Sequence, residues 1–196
     1  MSKDNVRDIQ DKILLRALED VAFDGWSSEV VENAATQEGF EPDVVRAVFP
    51  GGLGDVLAHF SDYADRLMLQ KLESIDPKEL RVRDRIDLAI ISRLEALDAF
   101  REPVRLSLPY WARPFSQMRG GKLVWRSADV IWNWAGDTST DYNHYTKRAL
   151  LSGILISSLP VWLDDQDPSM QKTRNFVAKR IENVMQFGKI IGRMKK

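Results

Sequence analysis

Hydrophobic side chains recur at three- and four-residue intervals along nearly the whole chain. Val6, Ile9, Ile13, Leu14, Ala17, Leu18, Val21 and Ala22 form one stripe, and Gly25 follows its last apolar turn. Ser27 or Ser28 opens a second helix through Val30, Val31, Ala34 and Ala35, and Gly39 closes it. Glu41-Pro42 starts a short third helix through Val48, because proline fits a first helical turn. Pro50-Gly51-Gly52 breaks the chain. Beyond it the spacing predicts helices from about Leu53 to Ser74, Lys78 to Phe100 and Glu102 to Met118. Gly120-Gly121 reads as a break, two more helices are expected around Trp125 to Leu163, and the last covers about Ser169 to Met194. No run alternates apolar and polar residues between hairpin turns. The chain therefore reads as all-α, with about nine helices: a three-helix head over residues 1–50 and a six-helix body over 51–196.

The head has a long helix followed by a helix–turn–helix pair. Ala17-Leu18, Phe23, Gly25-Trp26, Val31, Ala34-Ala35, Gly39 and Phe49-Pro50 resemble the N-terminal unit of TetR-type repressors. A TetR-like fold and, as one alternative, a ligand-responsive transcriptional regulator follow from that resemblance. The charges argue against the regulator. DNA affinity rests on cations that neutralise phosphates, yet residues 25–55 hold one basic side chain, Arg46, against six acidic ones. Glu41 and Asp43 flank the start of the helix that would approach the bases. The head reads as degenerate, with no nucleic-acid partner.

Composition narrows the chemistry further. The 196 residues contain no cysteine, which removes disulfides, zinc–thiolate sites and thiol nucleophiles and fits a reducing compartment. Net charge is −1, but it is unevenly spread: residues 1–60 carry −7 and residues 171–196 carry +7. No stretch is apolar for the ~20 residues of a membrane span, and the start resembles neither a signal nor a transit peptide. The expected location is the bacterial cytoplasm. The two histidines, His59 and His144, lack metal-ligand spacing. No Glu-x-x-His pair, Walker-type loop, dinucleotide fingerprint or nucleophile elbow occurs. The residues point to no enzyme, no metal and no cofactor.

The body carries Trp111, Trp125, Trp132, Trp134 and Trp162, and a polar run, residues 135–143, precedes a helix that is apolar almost all round from Ala149 to Leu163. Such a helix needs cover on every side, from the body, a second subunit or an apolar ligand. Thr138, Ser139 or Thr140 is expected to cap it. The run from Trp132 to Leu151, with Ala135-Gly136-Asp137-Thr138-Ser139-Thr140-Asp141, Tyr142-Asn143 and Tyr145-Thr146-Lys147-Arg148-Ala149, resembles the signature of the Coq-nine family of ubiquinone-biosynthesis accessory proteins. Gly25-Trp26 and the stretch from Arg174-Asn175-Phe176 to Met185 agree with it.

The resemblance implies a non-enzymatic, TetR-like protein without DNA binding. It would hold an isoprenoid quinone intermediate or phospholipid and present it to the pathway's di-iron hydroxylase at the membrane surface. The hydroxylase-binding patch would comprise Asp141, Tyr145 and Arg148, with His144 where animal members have tryptophan. Inward positions that could line a lipid chamber are Leu57, Phe60, Leu67, Ile90, Leu94, Trp111, Ile131, Ile154 and Leu155. Mitochondrial members continue into an additional amphipathic helix, before which this chain stops. The final helix, with Lys179, Lys189, Arg193, Lys195 and Lys196 beside an apolar stripe, is expected either to lie on the inner face of the bacterial inner membrane as a peripheral anchor or to form a homodimer.

Overall fold

A computed structural model describes the backbone over residues 3–194 and side chains over 5–186. Among the described residues there are nine α-helices and no strand: α1 (Lys3–Asp24), α2 (Ser28–Gln37), α3 (Pro42–Val48), α4 (Leu53–Leu72), α5 (Val82–Ala96), α6 (Arg101–Trp111), α7 (Pro114–Trp134), α8 (Tyr142–Asp164) and α9 (Gln171–Met194). The all-α reading holds. The chain divides, with boundaries inside α4 and α7, into two compact units, one of residues 1–66 with 97–123 and the other of 67–96 with 124–196.

In the first unit α1 packs on α2, α3 and α6. Ala17, Val21, Val30 and Ala34 form its small-residue centre, and Trp26 and Leu106 close over it. Trp26 also donates Nε1–H to the Pro103 carbonyl at 2.8 Å and leans on Phe60, with ring centroids 5.8 Å apart. The Ser27 side chain accepts from the Val30 N–H at 3.1 Å, so Ser27 is the cap of α2. Gly39 stands at φ +78° and ends α2, with Phe40 N–H reaching back to the Ala35 carbonyl. The helix–turn–helix outline therefore forms as read. Below it, Asp11 of α1 receives both Nη groups of Arg66 and lies 2.6 Å from Nε2 of buried His59 on α4. Burial lowers the His59 pKa, against the opposing pull of Asp11.

Several boundaries differ from the sequence reading. Gly120-Gly121 is no break: α7 runs unbroken through it. The break comes at Ala112-Arg113, before Pro114. A Cβ on Gly120 would sit 3.3 Å from the Trp111 ring, so the missing side chain lets α7 pass close beside that indole. The expected helix from Lys78 to Phe100 divides into a 3₁₀ turn at Pro77–Glu79, α5, and a second 3₁₀ turn at Asp98–Phe100. In the second unit α9 packs on α8 and α5. On α8 Ile156 is 58% exposed, so the described part of this one chain does not by itself cover that helix on every side.

Candidate functional site

The polar run between α7 and α8 folds into a tightly bonded corner of the second unit. Gly136 at φ +82° ends α7. Its N–H donates to the Asn133 carbonyl at 3.1 Å, and the Asp137 N–H donates to the Trp132 carbonyl at 2.9 Å. This paired closure needs a left-handed residue, which glycine supplies without a Cβ clash. Arg85 of α5 adds Nη1–H to the Ala135 carbonyl at 2.7 Å.

The closure drops Asp137 into a cluster of cations. Lys147 Nζ lies 2.6 Å from Asp137 Oδ1, Ser139 Oγ donates to the same oxygen at 2.8 Å, and Arg148 Nη1 reaches Oδ2 at 3.0 Å. Burial opposes the charge, but the bonds from Lys147, Ser139 and Arg148 outweigh it and hold the carboxyl well below its usual range. Arg148 continues to Asp129 through Nε, to the His144 carbonyl at 3.3 Å and to Asn133 Oδ1 at 3.4 Å. The cap of α8 is Asp141, whose side chain accepts from the Asn143 N–H at 2.9 Å; Thr138, Ser139 and Thr140 do not take that place. Ser139 is occupied with Asp137 instead.

The four expected patch residues separate into two kinds. Asp141 is exposed and Tyr145 is 62% exposed. His144 is half-buried, its Nδ1 donating to the Ser139 carbonyl at 3.1 Å and its ring edge-on to Tyr145. Arg148 is only 1% exposed, its guanidinium enclosed by the corner it organises. Tyr145 also leans on Trp125, with centroids 6.4 Å apart, and Tyr142, three residues earlier, is exposed. The sequence reading missed Asp129, Asn133 and Lys147. The available signal was the i, i+4 spacing of Asp129 and Asn133 on α7, which places both on one helix face.

The positions read as lipid-facing are distributed over both units. Leu57, Phe60 and Trp111 belong to the first; Leu67, Ile90, Leu94, Ile131, Ile154 and Leu155 belong to the second. Leu57, Phe60, Ile90, Leu94, Ile131 and Ile154 are buried, and the other three are half-buried. Two open grooves occur in the second unit. One, about 460 Å³, runs between α8 and α9 and is lined by Leu150, Gly153, Ile154, Ser157, Arg180, Asn183 and Val184. Of the nine positions, Ile154 alone lines either groove. The other groove, about 640 Å³, lies between α5 and α9 and includes Asp84, Asp87, Glu182, Met185 and exposed Lys179. Burial raises the Asp87 pKa there. The side chains of Lys189, Arg193, Lys195 and Lys196 lie outside the described residues. Among the described residues, no group of three His, Asp or Glu could hold a metal ion, and no helix is long and apolar enough to cross a membrane.

Comparison with known proteins bears on this corner directly. The COQ9 family model matches residues 118–188, which contain the corner, α8 and the α8–α9 groove. The ubiquinone biosynthesis protein COQ9 of Bos taurus is 28% identical over 92% of this chain, and that of Rattus norvegicus is 29% identical over the same share. The resemblance to COQ9 holds. The chain spans 58% of the bovine COQ9 and 60% of the rat COQ9. In structure it is similar to a TetR transcriptional regulator from Nitrosomonas europaea, with a TM-score of 0.72, 20% identity, and coverage of 91% of this chain and 99% of that one. That likeness establishes a TetR-like fold, which COQ9-like sequence here occupies.

Proposed function

We propose that the chain is a non-enzymatic accessory protein of ubiquinone biosynthesis that binds an isoprenoid quinone intermediate or phospholipid and presents it to the pathway's di-iron hydroxylase at a membrane surface. The observation that carries this reading is that the segment similar to COQ9, residues 118–188, contains both the bonded corner and the apolar α8–α9 groove. The groove has an apolar floor of Leu150, Ile154 and Val184, with Arg180 and Asn183 as polar guides. Its volume of about 460 Å³ suits part of a polyprenyl tail or one acyl chain. Such tails strongly prefer an apolar surface to water, at about 0.8 kcal/mol per CH₂.

Asp141 and Tyr145 serve as the hydroxylase contact. Arg148 acts behind them as a positioning residue, because its guanidinium fixes Asp137, Asp129 and the His144 carbonyl. The first fifty residues serve as a degenerate helix–turn–helix support. Arg46, the one cation of α3, pairs with Asp43 on its own helix. A homodimer would form through the final helix, and a second copy is also one candidate cover for the exposed side of α8 at Ile156.

Mass spectrometry of organic extracts from protein purified out of its native source tests the carrier function, with isoprenoid or phospholipid expected. Empty extracts refute it. Capture of the hydroxylase by wild type and by Tyr145→Ala tests the contact: the variant loses capture while keeping its lipid. The regulator alternative predicts salt-dependent binding to a palindrome near the chain's own gene, which a gel shift decides.

A further inference from the structure

The corner between α6 and α7, in the first unit, carries apolar side chains that the described fold leaves in water. Phe115 is 99% exposed and Met118 is 76% exposed. Phe115, Met118 and Lys122 stand at i, i+3 and i+7 of α7, so they share one stripe of that helix. Arg113 lies just ahead, its guanidinium 5.5 Å from the Tyr110 ring centroid. Of the four basic side chains in residues 103–123, Arg105 pairs with Glu102 and Arg119 with Asp55, so Arg113 and Lys122 carry the positive charge of the corner.

The corner is held in place from behind. Arg119 pairs with Asp55 of α4. Gly120 abuts the Trp111 ring, and Gln117 donates to the Ala112 carbonyl at 3.0 Å. Phe115 and Met118 therefore project from an anchored turn. A fixed pair of large apolar side chains flanked by Arg113 and Lys122 matches the interface of an anionic bilayer: the apolar groups enter the acyl boundary and the cations meet lipid phosphates.

We propose that the α6–α7 corner is a membrane-insertion wedge, in which Phe115 and Met118 enter an anionic bilayer surface and Arg113 and Lys122 engage its phosphates. This rests on the reading that the chain works at a membrane, and it assigns the contact to an element other than the basic C-terminal helix.

The test is co-sedimentation of the full chain with vesicles of phosphatidylcholine alone and with vesicles containing phosphatidylglycerol. Wild type is expected to prefer the anionic vesicles. Phe115→Ser with Met118→Ser should weaken that binding by about tenfold or more, the loss of two buried apolar side chains. Arg113→Glu with Lys122→Glu should abolish the preference for phosphatidylglycerol. Both variants should keep the wild-type circular dichroism and melting, since these side chains face water. As a control, charge reversal at Lys179, Lys189 and Arg193 should leave a fraction of binding that the serine pair removes.

Serine variants that bind like wild type overturn the wedge. So does a change in elution volume with unchanged vesicle binding, which would make the corner a face for a second copy. If wild type binds no vesicle, the wedge fails, while the lipid extract reports separately on the carrier function.

Discussion

Replacing Arg148 with methionine is the sharpest probe of the α7–α8 corner. The side chain keeps an unbranched apolar stem reaching about as far as Nε but loses every donor. Arg148 and Asp137 side chains are 2% and 4% exposed, so their ion pair is buried. Removing one member of such a pair leaves the other charge uncompensated, typically at a cost of 3–5 kcal/mol. Two features moderate this. Lys147 still holds Asp137, and Asp129 retains 38% exposure and can be hydrated. The expected loss is about 3 kcal/mol, or a fall in melting temperature of roughly 6–12 °C for a chain of this size. Thermal unfolding followed by circular dichroism measures it. The Asp137→Asn variant and the double variant complete a cycle, with a coupling of at least about 1 kcal/mol expected between the two positions. A melting change below about 2 °C, with additive single effects, is surface ion-pair behaviour and would refute a structural role for the cluster.

Three further outcomes follow from the geometry. Gly136→Ala forces a Cβ into φ +82° and should destabilise the chain by about 1–2 kcal/mol, although the space beside it is open to 3.5 Å; unchanged melting would mean the α7 closure is dispensable. Because burial lowers the His59 pKa below its unfolded value, its contribution to stability is complete above about pH 6.5 and is lost as pH falls through the folded value. An NMR titration of His59 should show a midpoint below about 6.5, and a midpoint above that refutes the assignment. Trp26→Phe keeps a ring against Phe60 but loses the donor to Pro103, at about 1 kcal/mol; a loss near zero would show that the bond is replaced by water.

The sequence made the head legible because its signals are local. Ser27, Gly39 and Pro42 each act within one turn of their own position, so cap, stop and start could be placed from the chain alone. The body resisted where distant groups decide. Gly120-Gly121 reads as a break, yet the helix survives there because Trp111 packs against the bare backbone. The cap of α8 moved to Asp141 because Lys147 and Asp137 draw Ser139 away. The residues of the corner were visible as a motif, but a motif does not reveal which of its members face outward. Arg148 lies one helical turn beyond His144 and three residues beyond Tyr145, and only coordinates show that it turns inward to Asp129 and Asp137. The exposure of Phe115 had no local signal, since an apolar residue in a helix usually predicts core.

The enclosed guanidinium of Arg148 changes how a mutational footprint of this corner should be drawn. An alanine scan scored only by partner capture would mark Arg148 and Tyr145 alike, although one shapes the surface and the other forms it. The outline would then come out deeper than any partner can reach. Docking restraints built from it would pull the partner into the protein, and scoring each substitution for folding as well as capture restores the true edge.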